Sequence, residues 1–290
     1  MLTILFDGIA YGMLLFVLAV GLAVTLGLMN FINLAHGAFA MAGGYLTVLA
    51  MQKAGVPFLA CLLLAFAGAG LLGALLETTL YRRVYDKQPL DQVLFSIGLA
   101  FMSVAGVDYF LGSSQQNLTL PDWLNGRTVI GDGVWQLGMG HYRIFIIVVC
   151  VALTVALQLV LARTRFGSWL RAAVDDPRVA SGLGINVNKV FLLTFAAGSG
   201  LAGLGGALSV GILGMDNYFP LKYMIYFLIV VSVGGTSSIT GPLAAALLLG
   251  IADVAGKYFI PKMGPFTLYL IMIVILMWHP HGLFVRKVRR

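Results

Sequence analysis

Between Asp7 and Lys53 the chain runs 45 residues without an Asp, Glu, Lys or Arg, and further long apolar runs follow it. A soluble domain has to cover its surface with polar groups, whereas the hydrocarbon core of a bilayer requires their absence. Apolar segments bounded by charge, proline or polar clusters predict spans over 8–29, 37–52, 57–76, 92–111, 143–162, 190–214, 223–235, 242–258 and 265–278. A spanning helix needs about 20 mostly apolar residues, so the 37–52 and 223–235 segments are short and are expected to be tilted, broken or re-entrant. The pattern predicts an all-α protein: a polytopic transmembrane helix bundle of eight to ten spans, with nine as the working number, in a single membrane domain over 1–290.

Composition agrees with the pattern. The chain is 60% hydrophobic and 10% charged with a mean hydropathy of +0.97, which leaves no room for a large soluble domain. Its net charge of +7 would suggest nucleic acid in a soluble protein, but the distribution along the chain points elsewhere. Alternate connections hold Arg82, Arg83 and Lys87, then Arg163, Arg165, Arg171, Arg178 and Lys189, then Arg286, Lys287, Arg289 and Arg290: twelve of the 18 basic residues. Lys53, Arg127, Arg143, Lys222, Lys257 and Lys262 fall on the other set. Basic loops stay in the cytoplasm, so the first set is expected inside, with the C-terminus, and no nucleic acid need be invoked. With nine spans the N-terminus lies outside. It has neither a basic n-region nor a small-residue cleavage site, so the first segment is expected to be retained. Cys61 and Cys150 lie within apolar segments and read as small buried hydrophobes.

Two connections are long. Residues 112–142, rich in Gly, Asn, Asp and Trp, read as an external loop with a hairpin. Residues 163–189 (RTRFGSWLRAAVDDPRVASGLGINVNK) form the one inner loop with helix-forming content. Leu170, Ala173 and Val174 make an apolar edge at helical spacing. Arg171, Asp175 and Arg178 fall on another edge, with Arg171 and Asp175 at ion-pair spacing. Pro177 either interrupts that helix or starts a second, and Gly182 and Gly184 permit a sharp return into the next span. A short amphiphilic rod lying across the inner membrane face is the expectation.

The stretch Thr164-Arg165-Phe166-Gly167, then Arg171-Ala172-Ala173-Val174-Asp175-Asp176-Pro177, then Gly184-Ile185-Asn186-Val187, resembles the cytoplasmic loop of branched-chain amino-acid ABC importer permeases. Asn33-Leu34-Ala35-His36-Gly37 followed by Met41-Ala42-Gly43-Gly44-Tyr45 resembles the smaller permease subunit. The segment from Gly234 to Pro242 and the tail from Pro280 to Phe284 are similar in character, although Pro242 stands where a small residue is usual. The resemblance implies a bacterial inner-membrane subunit that is no enzyme itself and needs no cofactor. Its implied partners are a second, homologous permease in a heterodimer, two cytoplasmic ATPases, a periplasmic or extracellular solute-binding protein and membrane lipid. It also implies that Arg165, Gly167, Arg171, Ala172, Asp175, Asp176, Gly184 and Ile185 couple the permease to the ATPase. Branched-chain or other apolar amino acids are the implied cargo, with urea, short amides or aromatic acids as the alternative within the same family.

Other features bear on mechanism. No Gly-x-x-x-x-Gly-Lys-Ser/Thr phosphate loop occurs, so energy has to come from a partner or an ion gradient. An ion-driven carrier keeps charged groups at mid-membrane depth. Here Asp7, Glu77, Asp108 and Asp216 lie at span ends, and Asp253, the deepest acid, reads as paired or as an ion site. The clusters around Asn30, Asn33 and His36 and around Gly234 and Gly235, together with Gly43 and Gly44, are candidates for a substrate path, an inner gate or plain turns. His36 has no metal-type residue at ligand spacing, so no metal site is expected. Gly198, Ala202 and Gly206, with Gly203, Ala207 and Gly211 in a second row, place small residues every fourth position, the pattern of closely packed membrane helices.

Overall fold

The computed structural model describes residues 1–29, 31–85, 87–131, 137–235, 238–279 and 282–283. Its nine long helices, among the described residues, follow the apolar segments: α1 (Leu2–Met29), α2 (His36–Ala54), α3 (Phe58–Thr79), α4 (Pro89–Leu111), α5 (His141–Arg163), α8 (Val187–Leu213), α9 (Phe219–Gly234), α10 (Thr240–Phe259) and α11 (Gly264–Trp278). Two short helices, α6 (Arg165–Asp175) and α7 (Pro177–Gly182), connect α5 to α8. Six of the long helices are long and apolar enough to cross a membrane, while α9 and α11 are apolar but shorter. Helices satisfy their own backbone groups, which is why apolar runs in lipid take this form.

α8 is the axis of the bundle, packed against α1, α2 and α3, while α10 lies along α1 and beside α9. The reason lies in its glycines. A Cβ on Gly203 would stand 2.7 Å from the Ala65 carbonyl oxygen of α3. One on Gly206 would stand 2.6 Å from the Ala40 carbonyl carbon of α2, and one on Gly200 would be 2.8 Å from the Phe66 carbonyl. Gly198 crosses Gly21 of α1, and Ala202 is buried beside them. Three helices therefore approach α8 backbone to backbone, which apolar helices in an apolar solvent need in order to gain dispersion contacts that lipid does not already supply. Outward, Leu63, Leu71, Met102, Phe110 and Met277 are exposed, as a lipid-facing surface requires.

The first helix starts six residues before the predicted boundary because Asp7 is neutralised within it by an ion pair with Arg143 at the start of α5. The 112–142 connection does hold a hairpin: β1 (Arg127–Ile130) pairs antiparallel with β2 (Leu137–Gly140). Gly138 N–H donates to Thr3 Oγ1 at 3.0 Å, and Gln116 and Met215 exchange backbone hydrogen bonds of 2.7 and 2.9 Å. These contacts gather the N-terminus, the hairpin loop and the α8–α9 turn at one end of the bundle. The opposite end carries α6, α7 and the C-terminal segment, where Leu283 N–H donates to the Val233 carbonyl at 2.8 Å.

Candidate coupling site and inner gate

The α5–α8 connection is a braced structure built from three consecutive caps. Thr164, in extended conformation, ends α5 and accepts a hydrogen bond from Gly167 N–H with its hydroxyl at 3.3 Å, opening α6. Asp176, also extended, accepts from the N–H groups of Arg178 and Val179 at 2.9 and 3.0 Å and opens α7. Asn186 accepts from Lys189 N–H at 3.0 Å and opens α8. Each side chain satisfies orphan donors of a helix start, an effect worth about 1 kcal/mol. Pro177 occupies the first turn of α7, so it starts a second helix. Gly184, at φ 85°, supplies the left-handed turn that sends the chain back towards α8.

The brace has its own small core, separate from the main one: Leu170, Ala173 and Val190 are buried, with Phe166, Val174 and Ile185 packed around them. Burying one leucine outside the membrane contributes about 1.5–3 kcal/mol. Gly167 is where α6 folds back on α5, since a Cβ there would lie 2.7 Å from the Leu161 carbonyl carbon. Arg171 Nη1 donates to that same Leu161 carbonyl at 2.6 Å, and Nη2 to Ser168 Oγ at 3.4 Å. The ion pairs among the described residues are Arg82–Glu77, Arg143–Asp7 and Lys257–Asp253, so Arg171 and Asp175 do not form the pair that their spacing suggested. Side chains on a helix lean towards its N-terminus, which carries the guanidinium back over Ser168 and Leu161, away from Asp175.

The face turned away from the bundle mixes charge with apolar surface. Arg165, Asp175, Asp176, Arg178 and Gly184 are exposed, Ala172 is half-buried, and Trp169, Val179 and Leu183 are 48%, 59% and 76% exposed. That apolar trio was not singled out from the sequence. Periodicity assigns apolar residues to a buried edge, and only the structure shows that these three are left uncovered. Behind the brace a cavity of about 450 Å³ separates α6 from α1, α5 and the α9–α10 connection, with Val24, Leu161, Leu170, Arg171, Ile239 and Thr240 in its wall.

The break between α1 and α2 begins at the same end and, among the described residues, is held by side-chain hydrogen bonds. Asn33 Oδ1 accepts from Tyr81 OH at 3.0 Å and from Ala35 N–H at 3.1 Å. Ser96 of α4 accepts from Leu34 N–H at 3.1 Å, and His36 Nε2 bonds the Leu18 carbonyl at 2.9 Å. Phe31 stands edge-on to Tyr81 and Tyr85, with centroids 5.4 and 5.3 Å away. Asn33 and His36, both buried, thus hold an unwound segment together from inside the bundle. Asn30, the next candidate, lies outside the described residues.

The glycine candidates have similarly close surroundings. Gly43 abuts the backbone of Gly203, Gly44 lies under the Met215 side chain, and a Cβ on Gly234 would stand 2.5 Å from Pro242 Cα. Gly235, at φ 78°, turns the chain after α9. Thr236 and Ser237, like Pro280, His281 and Phe284 of the tail, lie outside the described residues. Asn33 and the Gly234–Gly235 turn therefore share one end of the bundle with the brace, whereas His36 reaches in to Leu18 near the middle of α1, and Gly43 and Gly44 lie where α2 meets α8 and the α8–α9 turn.

Long helices, six of them apolar enough to cross a membrane among the described residues, with a capped two-helix unit at one end, are seen here together with a matching sequence. Residues 4–277 match the family described as the permease component of branched-chain amino acid transport systems. The chain belongs to that family. Among its relatives is the high-affinity branched-chain amino acid transport permease protein LivH of Salmonella typhimurium, 27% identical over 97% of this chain and 94% of that protein. BraD of Pseudomonas aeruginosa, also named as a permease of high-affinity branched-chain amino acid transport, is 29% identical over 97% of this chain and 95% of its own. A probable permease of the same kind from Methanocaldococcus jannaschii is 27% identical, over 97% and 91%. No solved structure matches the chain. The permease is accordingly a multi-pass membrane transport subunit of the ABC importer type.

Proposed function

We propose that this permease is one of two related membrane subunits of an ATP-driven importer for branched-chain or other apolar amino acids in the bacterial inner membrane. Two cytoplasmic ATPases would supply the energy and a soluble binding protein on the outer face would deliver the cargo. The observation that carries this reading is the braced α6–α7 unit. It is a capped two-helix unit that exposes Trp169, Val179 and Leu183 as well as Arg165, Asp175 and Asp176, on a chain without a phosphate loop of its own. Such a mixed surface suits a protein partner, while the Thr164 and Asp176 caps and the Arg171–Leu161 bond transmit a push on α6 to the end of α5. The relatives' names support the cargo class.

The basic residues favour the brace end as cytoplasmic, with the C-terminus, leaving the hairpin and the N-terminus outside. Asn33 and the Gly234–Gly235 turn then lie at an inner gate with His36 behind it, where the hydrogen-bonded break between α1 and α2 would separate and re-form as exposure alternates. Arg165, Ala172, Asp175, Asp176, Gly184 and Ile185 would form or support the ATPase-facing surface. Gly167 and Arg171 would set its angle, and Gly198, Ala202, Gly203 and Gly206 would hold the central helix against its neighbours.

The deciding experiment is uptake of labelled leucine, urea and phenylalanine into proteoliposomes holding the two permeases and the ATPases, with binding protein added outside. ATP-dependent accumulation of leucine is expected. Accumulation that persists without the ATPases, driven by a proton or sodium gradient, would overturn the proposal.

A further inference from the structure

The outer end of the bundle contains a polar cluster that coupling does not use. Among the described residues, five buried side-chain atoms have no hydrogen-bond partner, and four of them are Tyr45 OH, Asp216 Oδ1, Asn217 Oδ1 and Asp253 Oδ1. Tyr45, Asn217 and Asp253 are 4%, 2% and 1% exposed. They lie towards the same end of the bundle, on α2 and α10 and in the α8–α9 turn, and are linked in pairs. Asn217 Nδ2 donates to Asp108 of α4 at 3.1 Å, Tyr45 is within electrostatic reach of Asp216 and Asp108, and Tyr223 is within reach of Asp216 and Asp253. Buried polar atoms in proteins nearly always find partners, so four towards one end of the bundle require an explanation.

Their chemistry is one-sided. The carboxylate oxygens and the Asn217 oxygen are acceptors, since the amide nitrogen of Asn217 is already committed to Asp108, and a tyrosine hydroxyl can also accept. The group that supplies several donors and a positive charge at once is an ammonium. The neighbourhood already takes two. Lys257 Nζ pairs with Asp253 Oδ2 at 2.5 Å and stands 5.5 Å above the Tyr11 ring, and Lys222 Nζ stands 5.5 Å above the Tyr223 ring. Both rings therefore present π-faces to cations.

We infer that Asp216, Asn217 and Asp253, with Tyr45 and Tyr223, form an outer receiving site for the α-ammonium group of the cargo as it leaves the binding protein. The inference rests on the amino-acid import proposed above and adds a recognition step within the membrane subunit. A carboxylate without a primary ammonium leaves the acceptors unpaired and is discriminated against, and urea, which has N–H donors but no positive charge, leaves the carboxylates uncompensated.

The test is saturation-transfer NMR on the solubilised full transporter without binding protein, using leucine and its deaminated analogue 4-methylpentanoate as probes. The wild type is expected to transfer saturation to leucine and at least fivefold less to 4-methylpentanoate. Asp253→Asn and Asp216→Asn each reduce the leucine signal at least fivefold, while ATP hydrolysis by the complex stays within about twofold, which a collapsed structure would not allow. Should Asp253→Asn not assemble, Asp216→Asn, on the turn before α9, decides. Equal signals from the two probes, or variants that keep the wild-type leucine signal, overturn the assignment. Wild-type proteoliposomes that import no amino acid would instead remove the function on which it rests.

Discussion

Arg171 reaches back to the Leu161 carbonyl at 2.6 Å and leaves Asp175 free of it, so the two charges that look like a helical pair act separately. Arg171 belongs to the joint between α5 and α6, while Asp175 belongs to the exposed surface. Substitutions at the two positions should accordingly fail in different ways.

Replacing Arg171 by Met removes the hydrogen bond to Leu161, a loss of about 1 kcal/mol or somewhat more for a charged donor. The expected result is faster proteolysis within 164–186 of the folded protein, with ATPase recovery reduced in parallel. Asp175→Lys, on open surface, should leave proteolysis unchanged and lower ATPase co-purification severalfold. Identical behaviour of the two variants in both assays would contradict the separation.

Trp169→Glu, Val179→Glu and Leu183→Glu introduce charge on exposed apolar positions, so stability should change by less than about 0.5 kcal/mol. ATPase co-purification should fall severalfold for each. Wild-type recovery for all three would mean that the partner docks on another face.

Gly167→Ala brings a methyl group against the Leu161 backbone, where no flexible side chain can give way. The α6 brace has to tilt, and ATP-driven uptake is expected to drop at least tenfold while membrane insertion, read by fractionation, persists. Gly182→Ala provides the control, since a Cβ at Gly182 meets nothing within 4 Å and uptake should be unaffected.

The same contrast applies within the membrane. Gly206→Leu and Gly203→Leu force a side chain into the Ala40 and Ala65 backbones, an overpacking cost of about 1–3 kcal/mol or more. A lowered melting temperature in detergent and weaker subunit association are expected. Gly98→Ala and Gly106→Ala on α4, where a Cβ meets nothing within 4 Å, should leave melting unchanged or raise it.

Much of this was legible in the chain because a bilayer imposes a simple rule. Every backbone group in hydrocarbon must be bonded internally, so long uncharged runs become helices, and the nine predicted segments and nine long helices correspond. The loop around Arg171 was legible in outline, as a short helix with Pro177 at its break or at a second start, while the caps at Thr164, Asp176 and Asn186 that decide between the two emerged only from the structure. The hairpin over Arg127–Gly140 follows from the turn-rich composition between α4 and α5.

What the sequence by itself determined about this protein is therefore its solvent, its helices and the stops between them, because those depend on local composition and on the chain's own hydrogen bonds. Only the tertiary structure decided what each polar or small residue is for. Tyr81 closes on Asn33 across 48 positions, Ser96 caps Leu34 across 62, and Gly43 meets Gly203 only because α2 crosses α8 there. Such pairings depend on which helix faces meet, and helix faces that are apolar all round carry no periodic mark of their orientation.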